Sequence, residues 1–470
     1  MGKSLAFPVV RRALLSLAPL PLFAQQPRSG NATLPSGTWF IAQPVGADTS
    51  VFRFTLRFDR DSVIGANTDG LPIRGTVRGD SVTFEVLGRT DGTSVRFFGV
   101  AKNGAIHGMR VETPRDPSIP ARSGEFLASR ATPPRAPRLQ IFEPKDFSRS
   151  FSGSVPPALH IIPGDTVRTW ALDNAGRDST GAVRGRAGNP LTGPFYIDGA
   201  LPGDMIAVRL HRVRLNRDYA IAGDEIEGNA LTPDYFRRLK EVPGFNARWR
   251  LDRERGLAML EQPTPALAAY TVAVRPMLGC VGVAPPAGQV IDARESGVFG
   301  GNMDFNEIRE GVTLYLPVFQ RGALLFLGDG HAVQGDGELT GDALETSMNI
   351  EFSVDVFPSN SSFRRRIGSP RAENDEYLMA IGISGDLSDA LRAATSDLAR
   401  WLERDYGLNG PEVAAVLGTS MRYNVAELVG SELSIVAKLP KIVLRQLRRP
   451  TAPRGIDSRV TPPPRGLTMQ

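Results

Sequence analysis

Two short stretches of this sequence combine carboxylates, carboxamides and a histidine with many glycines. They are residues 300–304 (Gly-Gly-Asn-Met-Asp) and residues 328–338 (Gly-Asp-Gly-His-Ala-Val-Gln-Gly-Asp-Gly-Glu), and the second contains one of only four histidines. Strongly apolar runs lie between and around them, at residues 314–319 and 323–327. Polar groups in such surroundings would be costly to bury unless they had partners or a chemical task. The two stretches are therefore the predicted functional site.

The ionisable side chains of these stretches are the ligands expected around a hydrolytic zinc ion, or around a harder cation such as calcium or magnesium. A bound zinc ion lowers the pKa of its water to about 7, which prepares the water for hydrolysis. A spare carboxylate would then accept the water proton and pass it to a leaving nitrogen. We assign that role to Glu338, with Asp336 in reserve, and oxyanion stabilisation to Asn302 or to backbone amides. The predicted metal ligands are Asp304, Asp329, His331 and, from a separate strand end, Asp173.

Other interpretations of the same residues stay open. Glycine-rich loops with Asp and Asn also bind structural calcium, and Asn302, Asp329 and Asp336 could simply cap turns. A serine or cysteine nucleophile needs a histidine base, yet no Gly-x-Ser-x-Gly motif is evident and no histidine lies near the single cysteine, Cys280. Cys280 is therefore predicted to be a small buried apolar residue.

The element that holds the two stretches is predicted to be a hairpin. Residues 313–319 and 323–327 have the composition of strands, and Gln320-Arg321-Gly322 joins them. A hairpin brings its two ends together. Asp304 is therefore expected beside the loop of residues 329–338, although about 25 residues separate them.

The chain divides at a proline-rich linker, residues 131–149. Before it, residues 37–130 alternate apolar and polar side chains and include the turn pair Asn103-Gly104, which predicts a small antiparallel β module of six to eight strands. After it, two Pro-Gly-Asp turns, ending at Asp165 and Asp204, lead into strands of a β-sandwich. Residues 217–262 are rich in charge and are expected to leave that sheet.

A helix is predicted over residues 387–406, with Asp386 or Ser384 as its cap, because leucines recur there at helical spacing. Shorter helices are predicted at residues 232–242 and 411–417.

Composition and charge exclude several classes of protein. Glycine (49) and proline (37) are abundant, which favours a turn-rich β fold. The formal net charge of +5 comes from the two ends: residues 1–24 carry +3 and residues 438–470 carry +7, which leaves −5 for the rest. We therefore expect no nucleic-acid partner. No internal segment approaches the ~18 apolar residues of a membrane span.

The first 24 residues have the features of a secretory signal peptide. Lys3, Arg11 and Arg12 precede an apolar run that ends in a cleavable Leu-Phe-Ala. We therefore expect an exported protein, periplasmic or extracellular, without a membrane span in its mature form. Residues 448–470 are basic and proline-rich and are expected to form a disordered tail.

Residues 150–441 resemble the acetamidase/formamidase family. Seven sequence blocks in the family's order, together with Asp173, carry the resemblance: residues 163–167, 189–194, 199–204, 279–285, 300–304, 314–318 and 328–338. The resemblance implies a mainly β fold with some α, in which a β-sandwich domain is accompanied by a smaller α/β portion. Gln334, Glu345 and Cys280 would lie behind the ligands or beside the substrate.

The activity implied by this resemblance is hydrolysis of the carbon–nitrogen bond of small linear amides to a carboxylate and ammonia, by metal-activated water. It also implies a divalent metal, zinc before calcium or magnesium, and a dimer or higher homo-oligomer. Asp198 stands where members of the family commonly have Glu, and the module at residues 37–130 is additional. Two alternatives remain: an exported ligand-binding protein with an enzyme-like pocket, and a metal-dependent hydrolase of another bond, such as an ester or lactam.

Overall fold

The computed structural model describes residues 34–45, 48–130, 135–239, 245–359 and 368–447. The predicted signal peptide, the predicted tail and the first four residues of the linker lie outside these ranges. Among the described helices, none has the length and apolar character needed to cross a membrane.

The first domain is a closed antiparallel barrel in which each strand pairs with the next and the first pairs with the last. Its strands are β1 (Gly37–Val45), β2 (Asp48–Asp59), β3 (Ser62–Ala66), β4 (Pro72–Arg78), β5 (Ser81–Val86), β6 (Ser94–Lys102), β7 (Ala105–Thr113) and β8 (Arg122–Arg130). The predicted antiparallel β module is thus confirmed. Asn103 and Gly104 form its β6–β7 turn, as predicted.

Aromatic side chains fill the inside of this barrel. Alternate residues of each strand point inward, and Phe84 and Phe97 stack with ring centroids 4.6 Å apart. Phe126 meets Phe97 edge to face at 5.1 Å. The interior is therefore a packed core.

The second domain is built around two larger sheets and a core between them. Its strands are β9 (Leu139–Ile141), β10 (Ser150–Ser152), β11 (Leu159–Ile161), β12 (Thr166–Ala171), β13 (Thr192–Ile197), β14 (Met205–Leu215), β15 (Tyr219–Ile221), β16 (Arg248–Asp252), β17 (Leu257–Leu260), β18 (Val272–Ala273), β19 (Met277–Val283), β20 (Val290–Asp292), β21 (Ser296–Gly297), β22 (Gly300–Asn302), β23 (Thr313–Pro317), β24 (Leu325–His331), β25 (Met348–Phe357), β26 (Arg371–Glu373), β27 (Tyr377–Ser384), β28 (Arg422–Glu427) and β29 (Leu433–Pro440).

One sheet has six strands in the order β11-β13-β24-β19-β22-β21, and the other has nine in the order β28-β29-β27-β26-β23-β14-β25-β12-β9. Apolar side chains of both sheets form one buried cluster, which includes Phe195 and Val281 from the first sheet and Val208 and Leu314 from the second. The charged excursion makes a separate four-stranded sheet, β15-β16-β17-β18. The mainly β fold class is confirmed.

The α-helices lie mostly at the C-terminal end: α1 (Pro233–Phe236), α2 (Leu387–Tyr406), α3 (Gly410–Ser420) and α4 (Lys441–Leu444), with single 3-10 turns at Gly228–Ala230, Pro265–Leu267 and Pro286–Gly288. Helix α2 has the predicted bounds. The Asp386 side chain accepts hydrogen bonds from the backbone N–H groups of Ser388 and Asp389, and the helix ends at Gly407 with φ of 68°. Its apolar face packs on β27 and β29.

The predicted hairpin is wrong. Strand β23 pairs with β14 and β26 in the nine-stranded sheet, whereas β24 pairs with β13 and β19 in the six-stranded sheet. Gly322, Ala323 and Leu324 have φ values of 77°, 56° and 58°. These three consecutive left-handed residues redirect the chain from one sheet into the other.

Candidate active site and metal centre

Strand β19 brings the two polar stretches together. Cys280 pairs with Asn302 of β22 on one side and with Gly328 of β24 on the other. Asp304 therefore arrives beside Asp329 because their strands share a neighbour. Gly279 is required at this point, since a Cβ atom there would overlap carboxylate oxygens of Asp304 and Asp329.

His331 lies at the centre of the resulting cluster, and its side chain is fully buried. Its Nε2 atom is 3.0 Å from Oε1 of Glu345 and 3.5 Å from Oδ1 of Asp329. The same atom is 3.9 Å from Oε1 of Glu338 and 4.0 Å from Oδ1 of Asp304. Every one of these four acids is at least 94% buried. Four carboxylates thus face one imidazole nitrogen away from solvent.

The backbone is unusual at three of these acids. The φ angles of Asp304, Asp329 and Glu338 are 40°, 58° and 47°, in the left-handed region that residues with side chains rarely adopt. Strain of this kind accumulates at functional sites, where the surrounding structure enforces it. At these three residues, the left-handed backbone conformation accompanies a carboxylate that lies within 4.0 Å of Nε2 of His331.

Several polar atoms of the cluster lack partners. Among the described residues, Asp304 Oδ1, Asp329 Oδ1, His331 Nε2 and Glu345 Oε2 are buried without a hydrogen bond. Unpaired buried polar atoms are costly, and atoms of this chemistry are zinc ligands. Two overlapping sets of three, Asp304/His331/Glu338 and Asp329/His331/Glu345, have ligand atoms within 4.8 Å of one another. The residues present therefore fit a divalent cation.

Burial and neighbouring charges shift the pKa values of the groups in this cluster. Burial, followed by the negative charge of Asp329, raises the pKa of Asp304 to about 7. Burial likewise raises the pKa of Glu345 to about 8, and it raises the pKa of Glu338 well above its usual range, where the charge of Asp304 adds to it. Burial opposes protonation of His331, but the carboxylates of Glu345 and Asp329 outweigh it and raise its pKa. A positive charge among these buried acids would favour their ionised forms and offset their mutual repulsion.

Gln334 fixes the orientation of His331. Its Oε1 lies 2.8 Å from Nδ1 of His331, and its Nε2 donates to the backbone carbonyl of Asp304. The carboxamide orientation makes Nδ1–H the donor and leaves Nε2 free for a cation. Gln334, predicted from the family blocks, therefore lies directly behind the histidine.

A second polar layer supports Asp329 and Asp304. Nδ2 of Asn189 donates to Oδ2 of Asp329 at 2.8 Å and to Oδ1 of Asn302 at 3.0 Å. Asn302 in turn donates to Oδ2 of Asp304, and the Cys280 thiol donates to Oδ1 of Asn302 at 2.7 Å. Burial raises the pKa of Cys280 well above its usual range, so the thiol stays protonated in this network.

Two predicted site residues lie elsewhere. Asp336 is exposed and accepts hydrogen bonds from the carboxamides of Asn306 and Asn424, at 2.8 and 3.1 Å. Asp173 is buried, but its carboxylate pairs with Arg217 at 2.7 Å. The Arg217 guanidinium also donates to the backbone carbonyl of Glu345 at 3.2 Å. Asp173 thus supports Glu345 indirectly, through Arg217. Its carboxylate oxygen is paired with the Arg217 guanidinium and is not placed as a metal ligand.

Sequence reasoning missed two residues of the site. Asn189 belongs to a family block, and the turn-forming sequence Gly188-Asn189-Pro190 is the local signal that could have drawn attention to it; in the structure its φ is left-handed, at 51°. Glu427, 97% buried, follows Val425 and Ala426 at the end of β28 and is a single acid in an apolar run. A lone acid of this kind is a recognisable signal.

Comparisons with known proteins find relatives of this chain in sequence and in structure. The model of the Acetamidase/Formamidase family matches residues 237–430. The acetamidase of Mycolicibacterium smegmatis is 25% identical over 343 residues, which is 57% of this chain and 83% of that protein. The formamidase of Methylophilus methylotrophus is 22% identical over 335 residues, with 57% and 81% covered.

A solved structure shows the same fold. The acetamidase from Yersinia enterocolitica superposes with a TM-score of 0.55 at 27% identity, over 66% of this chain and 94% of that one. Over that span, this chain has the fold of that acetamidase. The second domain of this chain is therefore similar to the acetamidase/formamidase family in sequence and in fold.

Proposed function

We propose that this protein hydrolyses the carbon–nitrogen bond of small linear amides to a carboxylate and ammonia, at the cluster around His331. The observation that carries the proposal is the convergence of unpartnered buried atoms from His331, Asp304 and Asp329 in a chain similar to this family. Relatives named acetamidase and formamidase suggest short amides as substrates. The burial of all four acids also favours small substrates.

A divalent cation, zinc in our proposal, would be held by Nε2 of His331 and carboxylates of Asp304, Asp329 and Glu345. When bound, it supplies Lewis-acid polarisation and lowers the pKa of water. Nδ1 of His331 stays bonded to Gln334, so the imidazole keeps its orientation. Asn189 and Asn302 hold the outer oxygens of Asp329 and Asp304 in place.

Glu338 is the residue we assign to proton transfer. Its Oε1 lies 3.9 Å from Nε2 of His331 and accepts a hydrogen bond from the backbone N–H of Ala343 at 3.2 Å. Its raised pKa suits a group that takes a proton from water and gives it to the leaving nitrogen. The amide and water then yield a carboxylate and ammonia without another reactant. The second N–H of the Asn302 carboxamide is a candidate donor to the oxyanion.

Ammonia release from formamide, acetamide, propionamide and benzamide tests this proposal. We expect turnover of the short amides, lost on removal of metal by a chelator and restored by added zinc. Absence of ammonia from every amide would contradict amide hydrolysis. Undiminished turnover after complete removal of metal would contradict the role of the cation.

Methyl acetate and a lactam in the same series test cleavage of other bonds, and binding of an amide without turnover would favour a binding protein.

We also propose that the protein is exported, because residues 1–24 have the pattern of a signal peptide. N-terminal sequencing of secreted protein should begin at Gln25, whereas an intact Met1 would contradict cleavage.

We further propose that the protein forms a dimer or a higher homo-oligomer, and light scattering of the purified protein tests this.

A further inference from the structure

Glu427 is a buried acid that the proposed metal and proton-transfer roles do not use. It ends β28, and 3% of its surface is exposed. The backbone N–H of Gly430 holds one end of its carboxyl group. In the described part of the chain, the other oxygen, Oε2, is buried and has no hydrogen-bond partner. A buried oxygen without a partner is a costly feature, so its retention needs an explanation.

The backbone joins Glu427 to the candidate site. Glu427 and Gly337 form a parallel bridge, which places Glu427 next to the chain that carries Glu338. The carbonyl of the preceding residue, Ala426, accepts a hydrogen bond from Nε2 of Gln334 at 3.4 Å. The same Nε2 atom holds the backbone of Asp304. One carboxamide thus connects His331, Asp304 and the residue that precedes Glu427.

The carboxyl group of Glu427 is close enough to Asp304 for the negative charge of Asp304 to affect it. Burial is the largest reason that its pKa rises to about 10, and the negative charge of Asp304 comes next. Gly430 makes room for the side chain, because a Cβ atom there would overlap Oε1 of Glu427. This close fit holds the carboxyl group against Gly430.

We propose that Oε2 of Glu427 accepts a hydrogen bond from the –NH2 group of the amide substrate and so makes the site selective for primary amides. This inference rests on the proposed amide hydrolysis. Oε2 accepts this bond as an oxygen of the carboxylate or as the carbonyl oxygen of the protonated acid, whose proton is then on Oε1, so the role does not require Glu427 to be ionised. An amide with a fully methylated nitrogen would leave Oε2 unpartnered, and a polar group built to bond a substrate N–H discriminates strongly in this way.

The test compares Glu427→Leu and Glu427→Gln with the wild-type protein and with Glu376→Gln, a change at an exposed glutamate. For each protein we would measure kcat/KM for acetamide, the inhibition constant of N,N-dimethylacetamide and the metal content. Glu427→Leu should lower kcat/KM for acetamide by about 10- to 100-fold, as expected for one lost hydrogen bond to a buried group. Its inhibition constant for N,N-dimethylacetamide and its metal content should stay within twofold of wild type. Glu427→Gln, which keeps an acceptor oxygen, should restore most of the activity.

Three outcomes would overturn the inference: acetamide turnover within twofold of wild type in Glu427→Leu, equal losses in Glu427→Gln and Glu427→Leu, or a parallel weakening of N,N-dimethylacetamide binding. The last would show a general effect on the pocket. Wild-type protein that releases no ammonia from acetamide would overturn the proposed function and this inference with it, whereas the other outcomes leave amide hydrolysis intact.

Discussion

Nδ1 of His331 lies 2.8 Å from Oε1 of Gln334, which leaves Nε2 as the ring nitrogen that faces the four buried acids. Partners that orient a ligand in this way typically change metal affinity by about 10- to 100-fold when removed. Gln334→Leu keeps the approximate size of the side chain and removes its hydrogen bonds to His331, Asp304 and Ala426. We expect it to weaken metal binding within that range, measured by competition with a chromophoric chelator. Gln320→Leu, which removes a bond to the backbone carbonyl of Pro285, is the control and should bind metal normally.

Asn189 should matter for activity although it is distant in sequence from both polar stretches. Its side chain donates to Asp329 and Asn302, so Asn189→Ala leaves an acid and a carboxamide without their buried partner. We expect kcat/KM to fall by about 10- to 100-fold. Asn174→Ala removes a comparable bond, 2.7 Å long, to the exposed Asp342 and serves as the matched control. Equal activity of the two variants would argue against the supporting role of Asn189.

The buried pair of Arg217 and Asp173 predicts a stability effect. Arg217→Met leaves the Asp173 carboxylate buried and unpaired, which typically costs about 3–5 kcal/mol. The double variant with Asp173→Asn should recover part of that loss, as measured by urea unfolding of the second domain. Asp173→Asn alone should still bind metal at wild-type affinity. Loss of metal from that variant would instead support the ligand role predicted from sequence.

The Pro-Gly-Asp turn at Asp165 predicts a dependence of stability on pH. Burial opposes ionisation of Asp165, but hydrogen bonds from Arg135 and from the backbone N–H groups of Arg138 and Ile162 outweigh it and lower its pKa to about 2. The pKa in the unfolded chain is near 3.8. Because the folded value is the lower one, the stabilisation is complete above the unfolded pKa and is lost as pH falls toward 2.

Urea unfolding of wild type and Asp165→Asn at several pH values checks this prediction. The stability difference between them should be constant from pH 7 to about 5 and should shrink steadily below about pH 4. A difference that stays unchanged down to about pH 2.5 would contradict the account. Asp224→Asn, at an exposed position, is the control.

Local patterns predicted the parts of this fold that depend on neighbouring residues. Helix α2 was predictable to its ends because leucine spacing, the Asp386 cap and Gly407 all act within a few residues. The Asn103-Gly104 turn was predictable for the same reason. The pairing of β23 and β24 was not, since residues 322–324 turn the chain into a different sheet and only the tertiary structure shows this.

The candidate site was predictable as a set of residues but not as an arrangement. Asp304, Asp329, His331 and Glu338 were recognisable from their density among glycines, and the structure brings them together. Strand β19, which joins them, contributes Gly279 and Cys280. Neither residue type indicates by itself that the carboxylates of Asp304 and Asp329 pack against this strand. Glu427 lies about 90 residues beyond the cluster in sequence, so its place beside Gly337 depends on long-range pairing.

In the proposed amide hydrolysis, Glu338 transfers the proton beside a cation that the His331 cluster would hold. The most direct measurement determines metal content and ammonia release from acetamide on the same preparations of wild type, Glu338→Gln and the exposed control Glu376→Gln. We expect Glu338→Gln to retain its metal within about twofold but to lose at least about 100-fold in kcat, the lower range for general acid–base catalysis. Full activity of Glu338→Gln, or full activity of wild-type protein that contains no metal, would contradict this mechanism.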